Sequence, residues 1–400
     1  MKIRLLIILV LVSSRFFAQT PVEHLTLDSK YIDETRTLTI ALPNGYKNST
    51  KKYPLILVFD QALLFDTTAA IVNQLGTTSR MPESILVAIS AGNKHRNYFA
   101  PNWYNNHRNR RYNYGNHQEE FVDFLERELL PLVEKNYRTA PFKIFIGFSP
   151  SSALGLYTLL NKPNLFQAYI CFATSNIIGD GYAKGERLIE ELELLYSKQQ
   201  IGQNYLYVVS GSNDADAQPY ITTNIRDFNS KLSKFNSSTI HTKAETIPGE
   251  GHTDVILPGL ITAFDFIFPK EKWSVEYLDL IENEGAAKDN IASFYQRLSD
   301  EYGFEVYPNA DRLYSMSCLK NIGRRLLGDK KPEEAIALYN YWVELYPTSH
   351  LAHYYLGLSY KEHKENNKAM VAFQRAHQLA LLQNSDDVKV YREAIWKLSE

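Results

Sequence analysis

Cysteine is nearly missing from this chain. Its two copies, Cys171 and Cys318, cannot build a disulfide framework or a cysteine-rich zinc module. Charge of one sign is missing as well. Lys and Arg number 43 against 45 Asp and Glu, a net charge of −2, which removes the basic footprint of a nucleic-acid binder. No H-E-x-x-H spacing and no phosphate-cradling glycine loop occurs, so the sequence asks for neither a metal nor another cofactor. Beyond the first twenty residues no apolar run approaches the length of a membrane span. What is present is ordinary globular material: 400 residues, 44% hydrophobic and 22% charged, too long for a single compact core.

The chain opens on Met1-Lys2-Ile3-Arg4, then an unbroken aliphatic run from Leu5 to Val12, then Ser13, Ser14 and Ala18. A basic start, a short apolar segment and small residues behind it describe a secretory signal over residues 1–18, with bulky Phe16 an imperfection at the cleavage site. No cysteine lies nearby, which excludes a lipoprotein. The expectation is a periplasmic or secreted chain with no membrane span once the signal is removed.

Residues 19–270 alternate short apolar runs with amphipathic stretches. Thr37–Leu42, Leu55–Phe59, Ile85–Ile89, Lys143–Ile146 and Tyr205–Val209 read as strands. Helical spacing is clearest at His117–Lys135, where Phe121, Phe124, Leu125, Leu129, Leu132 and Val133 recur on one face. Buried aliphatic strands alternating with helices predict a three-layer α/β sandwich with a mostly parallel sheet. From residue 271 the strands stop. A helical connector over residues 271–315 precedes a repeat of 34 residues, in which Gly323, Leu326, Ala335, Tyr339 and Trp342 return as Gly357, Tyr360, Ala369, Phe373 and Ala376. The small residues let two helices cross closely and the aromatic ones fill the groove. This resembles a pair of tetratricopeptide repeats within an all-α domain, residues 316–400, closed by a helix from Asp386 to Ser399. Two such repeats need neighbours to fold and offer a surface for a protein partner.

Chemistry gathers at Ile146-Gly147-Phe148-Ser149-Pro150-Ser151. An apolar strand runs into the turn and a helix follows from Ala153, the context in which a sharp elbow lifts a serine hydroxyl to the top of a sheet. Serine near neutral pH needs a base to take its proton. The order serine, acid, histidine is met downstream. Asp214 and Asp216 follow the strand that ends near Val209, and His252 sits in the glycine-bracketed loop Pro248–His252.

With these residues in view, the first 250 positions resemble the esterases of the α/β-hydrolase superfamily that include siderophore trilactone esterases, the esterase D group, feruloyl esterases and mycolyltransferases. Leu42-Pro43-Asn44-Gly45-Tyr46, Lys52–Asp60, Arg96–Pro101, Phe121–Pro131, Asn136-Tyr137-Arg138, the elbow and the histidine loop carry the likeness, and the siderophore-esterase branch fits best. The resemblance implies Ser149 as nucleophile, His252 as general base and Asp214, in preference to Asp216, as the acid. It also implies a backbone oxyanion donor at Gln61 or Ala62 and an arginine, Arg96, near the mouth of the site.

The pattern departs from the family at two points. Asp60 is followed by Gln61 where the family has glycine. Pro150 follows the nucleophile, at the position whose N–H normally completes the oxyanion hole, and proline has none. Loss of one such donor costs about 10²–10³ in turnover. Ser151 also replaces a glycine. Either a side-chain hydroxyl substitutes, or the enzyme is slow, or catalysis has been abandoned. Separately, Trp103–Tyr114 interleaves Trp103, Tyr104, Tyr112 and Tyr114 with Arg108, Arg110 and Arg111, a stretch suited to an anionic or aromatic ligand or to a solvated surface loop. The expected activity is hydrolysis of small, aromatic or siderophore-lactone-like esters, and the alternative is a degenerate hydrolase fold that only binds.

Overall fold

The computed structural model describes residues 22–90, 100–198, 201–273, 276–282, 284–312 and 315–400. The proposed signal and Arg96 lie outside the described residues. Ten strands are present among the described residues: β1 (Val22–Ser29), β2 (Glu34–Ala41), β3 (Tyr53–Val58), β4 (Ile85–Ile89), β5 (Trp103–Asn105), β6 (Arg110–Tyr112), β7 (Thr139–Phe148), β8 (Ala168–Phe172), β9 (Asn204–Gly211) and β10 (Ile240–Ile247). Eight of them form one sheet in the order β1-β2-β4-β3-β7-β8-β9-β10. The pairings β1–β2 and β2–β4 are antiparallel, and from β4 to β10 the sheet is parallel.

The central strands are buried along their whole length because helices cover both faces. Alternate residues then serve two separate cores. Ile56, Val58, Ile144, Ile146 and Ile170 face the helices Gln61–Thr77 and Ile256–Ile267. Leu55, Leu57, Phe145, Tyr169 and Cys171 face the other layer, which includes the helices Pro150–Asn161, Leu188–Ser197 and Tyr220–Leu232. The amphipathic segment read at His117–Lys135 is helical over Gln118–Asn136, but widens to π geometry at Leu125–Leu129. Pro131 accounts for the widening, because it lacks the N–H that would reach Arg127 and its ring crowds that carbonyl. Trp103–Tyr112 is no irregular loop: β5 and β6 pair as an antiparallel hairpin.

Among the described residues beyond β10 every element is a helix, the longest being Ala287–Tyr302, Pro332–Leu345, His350–Glu362 and Asn366–Leu382. This region is joined to the sheet through aromatic packing. Phe142 on β7 meets Phe268, Tyr302 and Phe304 at ring-centroid distances of 5.9, 5.9 and 5.7 Å, and the Tyr302 hydroxyl donates to the Ile267 carbonyl at 2.7 Å. A buried ring of this size contributes about 1.5–3 kcal/mol, so the cluster fastens the two regions firmly. At the 34-residue spacing, Gly323 and Gly357 make equivalent contacts. A Cβ would lie 2.2 Å from Tyr339 in the first and 2.5 Å from Phe373 in the second. Only glycine permits either crossing.

Candidate active site

β7 delivers the elbow at the carboxyl end of the parallel strands. Ser149 has φ 54° and ψ −112°, a conformation that costs an L-residue roughly 1–3 kcal/mol and points to a turn held by its surroundings. Several contacts hold it. Ser149 N donates to Phe172 O on β8 at 2.8 Å, and its carbonyl accepts from Ser152 N at 3.1 Å. A Cβ on Gly147 would sit 2.8 Å from the backbone of Ser151 and Ser152, so the chain can fold back this tightly only with glycine there. Pro150 starts the helix at a position where a missing N–H costs nothing to the helix.

The acid and the imidazole arrive from two neighbouring strand ends. β9 ends at Gly211, and the short helix Ser212–Ala217 carries Asp214. A Cβ on Gly211 would fall 2.2 Å from Glu250 O, which measures how closely the loop after β10 crosses this corner. Asn213 N donates to Glu250 O at 3.0 Å, Asn213 Nδ2 to Gly249 O at 3.1 Å, and Gly249 N to Ser212 Oγ at 2.9 Å. The loop therefore keeps its shape independently of the histidine. His252 Nδ1 lies 2.7 Å from Asp214 Oδ2. Nδ1 donating to this carboxylate leaves Nε2 as an acceptor. Asp214 is largely buried and His252 half exposed, while Asp216 faces solvent and makes no bond to the ring. The imidazole packs edge-on against Phe148, the residue before Ser149, at 5.1 Å. Among the described residues no hydrogen bond joins the Ser149 hydroxyl to His252, a contact that often closes only around substrate.

The end of β3 forms the third side. Asp60 turns left-handed (φ 50°, ψ 52°), and its carbonyl accepts from Leu63 N at 2.8 Å and Leu64 N at 3.1 Å. The amides of Gln61 and Ala62 open the helix with no acceptor among the described residues. The Gln61 side chain is turned away, donating to Thr39 Oγ1 at 2.8 Å. The hydroxyl of Ser151 lies 2.5 Å from Asp60 Oδ2 and accepts from Phe148 N at 2.7 Å. Sequence reasoning missed this engagement of Ser151; the polar residue in a glycine position was its only signal.

The β5–β6 hairpin flanks the acid. Asn105 Nδ2 and Asn106 N donate to the carboxylate of buried Asp180 at 2.9 and 3.1 Å. Arg108 reaches Gln218 Oε1 at 3.0 Å, four residues beyond Asp214, and the His107 ring stacks on Tyr220 at 4.1 Å. Trp103 is consumed internally between Tyr112 and Tyr114, at 5.2 and 4.9 Å. The exposed guanidinium groups of Arg110 and Arg111 have no acidic partner among the described residues. Burial pushes Asp180 up to about 7, against the lowering pull of the Asn106 amide, the Asn105 side chain and Arg108. Its folded value lies above the ordinary 3.8, so the stability linked to its proton is complete at acid pH and is lost as pH rises through about 7.

A cavity of about 460 Å³ lies at the opposite rim, where Lys51, just before β3, and Tyr53, its first residue, meet Phe304, Tyr307 and Tyr346 of the helical region. It is remote from Ser149. Lys51 Nζ donates to Glu83 Oε2 there at 2.7 Å, with the Tyr346 ring 4.9 Å away. Among the described residues no cluster of three His, Cys, Asp or Glu side chains suited to a metal occurs.

A mixed, mostly parallel sheet flanked by helices, with a serine elbow at its carboxyl edge, is a hydrolase-type fold. The chain belongs to the family described as "Putative esterase", whose profile matches residues 29–250. Among solved structures, an IroE-like serine hydrolase from Shewanella oneidensis is 23% identical with a TM-score of 0.64, over 80% of this chain and 98% of that one. The siderophore hydrolase EstA from Aspergillus nidulans is 16% identical with a TM-score of 0.50, over 62% of this chain and 93% of that one. These likenesses establish the fold. The uncharacterized protein YbbA of Bacillus subtilis is 23% identical over 135 residues, 33% of this chain and about half (53%) of that protein.

Proposed function

We propose that this protein is an exported serine ester hydrolase. Ser149 Oγ attacks the ester carbonyl while His252 Nε2 takes its proton, and Asp214 holds the imidazole in the tautomer that can accept it and stabilises the imidazolium. The tetrahedral oxyanion lies against the amides of Gln61 and Ala62. Collapse expels the alcohol, which receives the proton from His252, and water then cleaves the acyl-enzyme by the same route. No cofactor enters these steps. The single observation that carries the reading is the 2.7 Å Asp214–His252 contact lying beside the Phe148–Ser149 elbow.

For substrates, Arg110 and Arg111, exposed on a hairpin and without an acidic partner among the described residues, support esters bearing an anionic or aromatic group, of the siderophore-lactone kind. The likeness to a fungal siderophore hydrolase supports the same class. The helical region is read as tetratricopeptide-like and as the contact for a protein partner. The equivalent crossings at Gly323 and Gly357 support that reading. Export rests on the signal over residues 1–18 and gives a periplasmic or secreted protein.

A fluorophosphonate probe is expected to label the intact protein once, at Ser149, with the modified residue mapped by mass spectrometry. Labelling elsewhere, with hydrolysis of p-nitrophenyl butyrate persisting, would overturn the assignment. One observation favours a second reading, a hydrolase fold retained for binding: Pro150 withholds an oxyanion donor. Pro150→Gly restores that amide and is expected to raise kcat by about 10-fold or more. An inactive Pro150→Gly protein, beside an inactive wild type, favours the binding module.

A further inference from the structure

We infer that the cavity between the start of β3 and the helical region is a binding site for a neutral saccharide, which stacks on Tyr307 and Tyr346 and brings hydroxyls to the acceptor oxygens around them. The cavity has about 460 Å³, a volume ordinary for small-molecule sites, and it lies at the junction of two regions, where such sites concentrate. Its walls come from both. Asn44 and Lys51 belong to the sheet side, and Tyr307, Asn309, Tyr346 and Gln383 to the helical side. The site is separate from the proposed hydrolysis. Lys51 and Tyr53 stand at the amino end of β3, whereas Ser149 stands beyond the carboxyl end of β7, which runs parallel to it.

Charge and hydrogen-bonding capacity decide the class of ligand. A cation finds its place taken. The Lys51 ammonium itself lies 4.9 Å from the centre of the Tyr346 ring, 5.6 Å from Tyr53 and 5.9 Å from Tyr307, and it donates to Glu83 Oε2 at 2.7 Å. An anion meets a lining in which Glu83, Glu305 and Asp311 outnumber Lys51 and Lys52. Burial lowers His350 from its ordinary value, so its ring adds no charge at neutral pH. A hydrocarbon would strand the polar groups. Asn44 Nδ2 donates to Asn73 Oδ1, Asn309 Nδ2 to Ser79 Oγ and Gln383 Nε2 to the Thr348 carbonyl, at 3.0, 2.8 and 2.7 Å. The amide oxygens of Asn44, Asn309 and Gln383 are left with no donor among the described residues, and Lys51 keeps a proton for an oxygen acceptor. Tyr307 and Tyr346, both partly buried, meet edge to face at 6.1 Å and make a corner. Their faces carry partial negative charge and attract the polarised C–H groups that a pyranose presents on one side. A sugar offers both a C–H face for the rings and hydroxyls for the oxygens.

The probes are the methyl glycosides of glucose, galactose, mannose, xylose and N-acetylglucosamine, each titrated into the intact protein and read by saturation-transfer NMR and by Tm. At least one is expected to bind with a Kd of about 10 mM or tighter and to raise Tm with its concentration. Tyr307→Ala and Gln383→Leu are each expected to weaken that binding about 10-fold or more, through the lost ring face and the lost acceptor. Both side chains are partly exposed, so the fold survives their removal. Ser149→Ala is expected to bind the glycoside as the wild type does. Absence of binding by every glycoside overturns the inference, and so does binding that is unchanged in Tyr307→Ala or Gln383→Leu. Binding lost in Ser149→Ala overturns it too, because it places the sugar at the catalytic rim. Tighter binding of 4-hydroxybenzoate or of choline than of any glycoside, abolished by Tyr307→Ala, makes the ligand an anion or a cation and overturns the class. These readouts need no turnover, so the outcome stands whether or not Ser149 hydrolyses an ester.

Discussion

Ser149→Ala is expected to lower kcat/KM for p-nitrophenyl butyrate by about 10⁴-fold or more while leaving Tm within a degree or two of wild type. The two halves of this expectation have separate causes. Alanine retains the β-carbon, so the strain of φ 54° is the same in both proteins, and the serine side chain makes no cap bond whose loss would loosen the helix. What disappears is the proposed nucleophile alone. The residual rate should be that of water attacking a carbonyl polarised by Gln61 and Ala62. A variant that keeps a tenth of wild-type activity, with Tm unchanged, would move the chemistry away from the elbow.

His252→Ala is expected to cost about 10⁴-fold as well, and Asp214→Asn about 10²–10⁴-fold. The loop around His252 is secured by the Asn213, Gly249 and Ser212 bonds and by the close crossing at Gly211, none of which uses the imidazole. Loss of activity without loss of fold is therefore the outcome to look for, by circular dichroism beside the kinetics. Asp214→Asn tests a narrower point. An asparagine amide can donate to Nδ1, which shifts the ring proton to Nε2 and leaves no acceptor toward Ser149. The side chain keeps its size, so a large drop in kcat with an intact structure isolates the tautomer as the cause. Asp216→Asn, on an exposed side chain, should change nothing. Equal losses from the two aspartates would contradict the pairing seen at 2.7 Å.

Much of the architecture was legible because burial writes itself into composition. β3, β4, β9 and the second half of β7 are covered on both faces, and a strand with no solvent face needs a largely apolar run. β10 was not legible. Ile-His-Thr-Lys-Ala-Glu-Thr-Ile is mostly polar and becomes a strand because β9 offers it a free edge. β8 is short, and its pairing with β7 and β9 decides its conformation more than its five residues do. The hairpin at Trp103–Tyr112 was readable as aromatic and cationic, but its pairing depends on Asp180, some seventy positions later, holding both Asn105 and Asn106.

The site divides in the same way. Gly147, Ser149 and the helix behind them are neighbours in the chain, and the local rules of a strand–turn–helix elbow were enough to single out the serine. The sequence by itself also determined the order of serine, acid and histidine and the want of an amide at Pro150. The family resemblance favoured Asp214 over Asp216, and the tertiary structure supplies the contact with His252 and its reason. Two residues apart on a helix they point about 200° from one another, so a crossing loop can reach only one of them. It alone decided that the Ser151 hydroxyl is bound to Asp60. Periodicity and turn preference act over a few residues, whereas these contacts join segments that meet only where the ends of parallel strands converge.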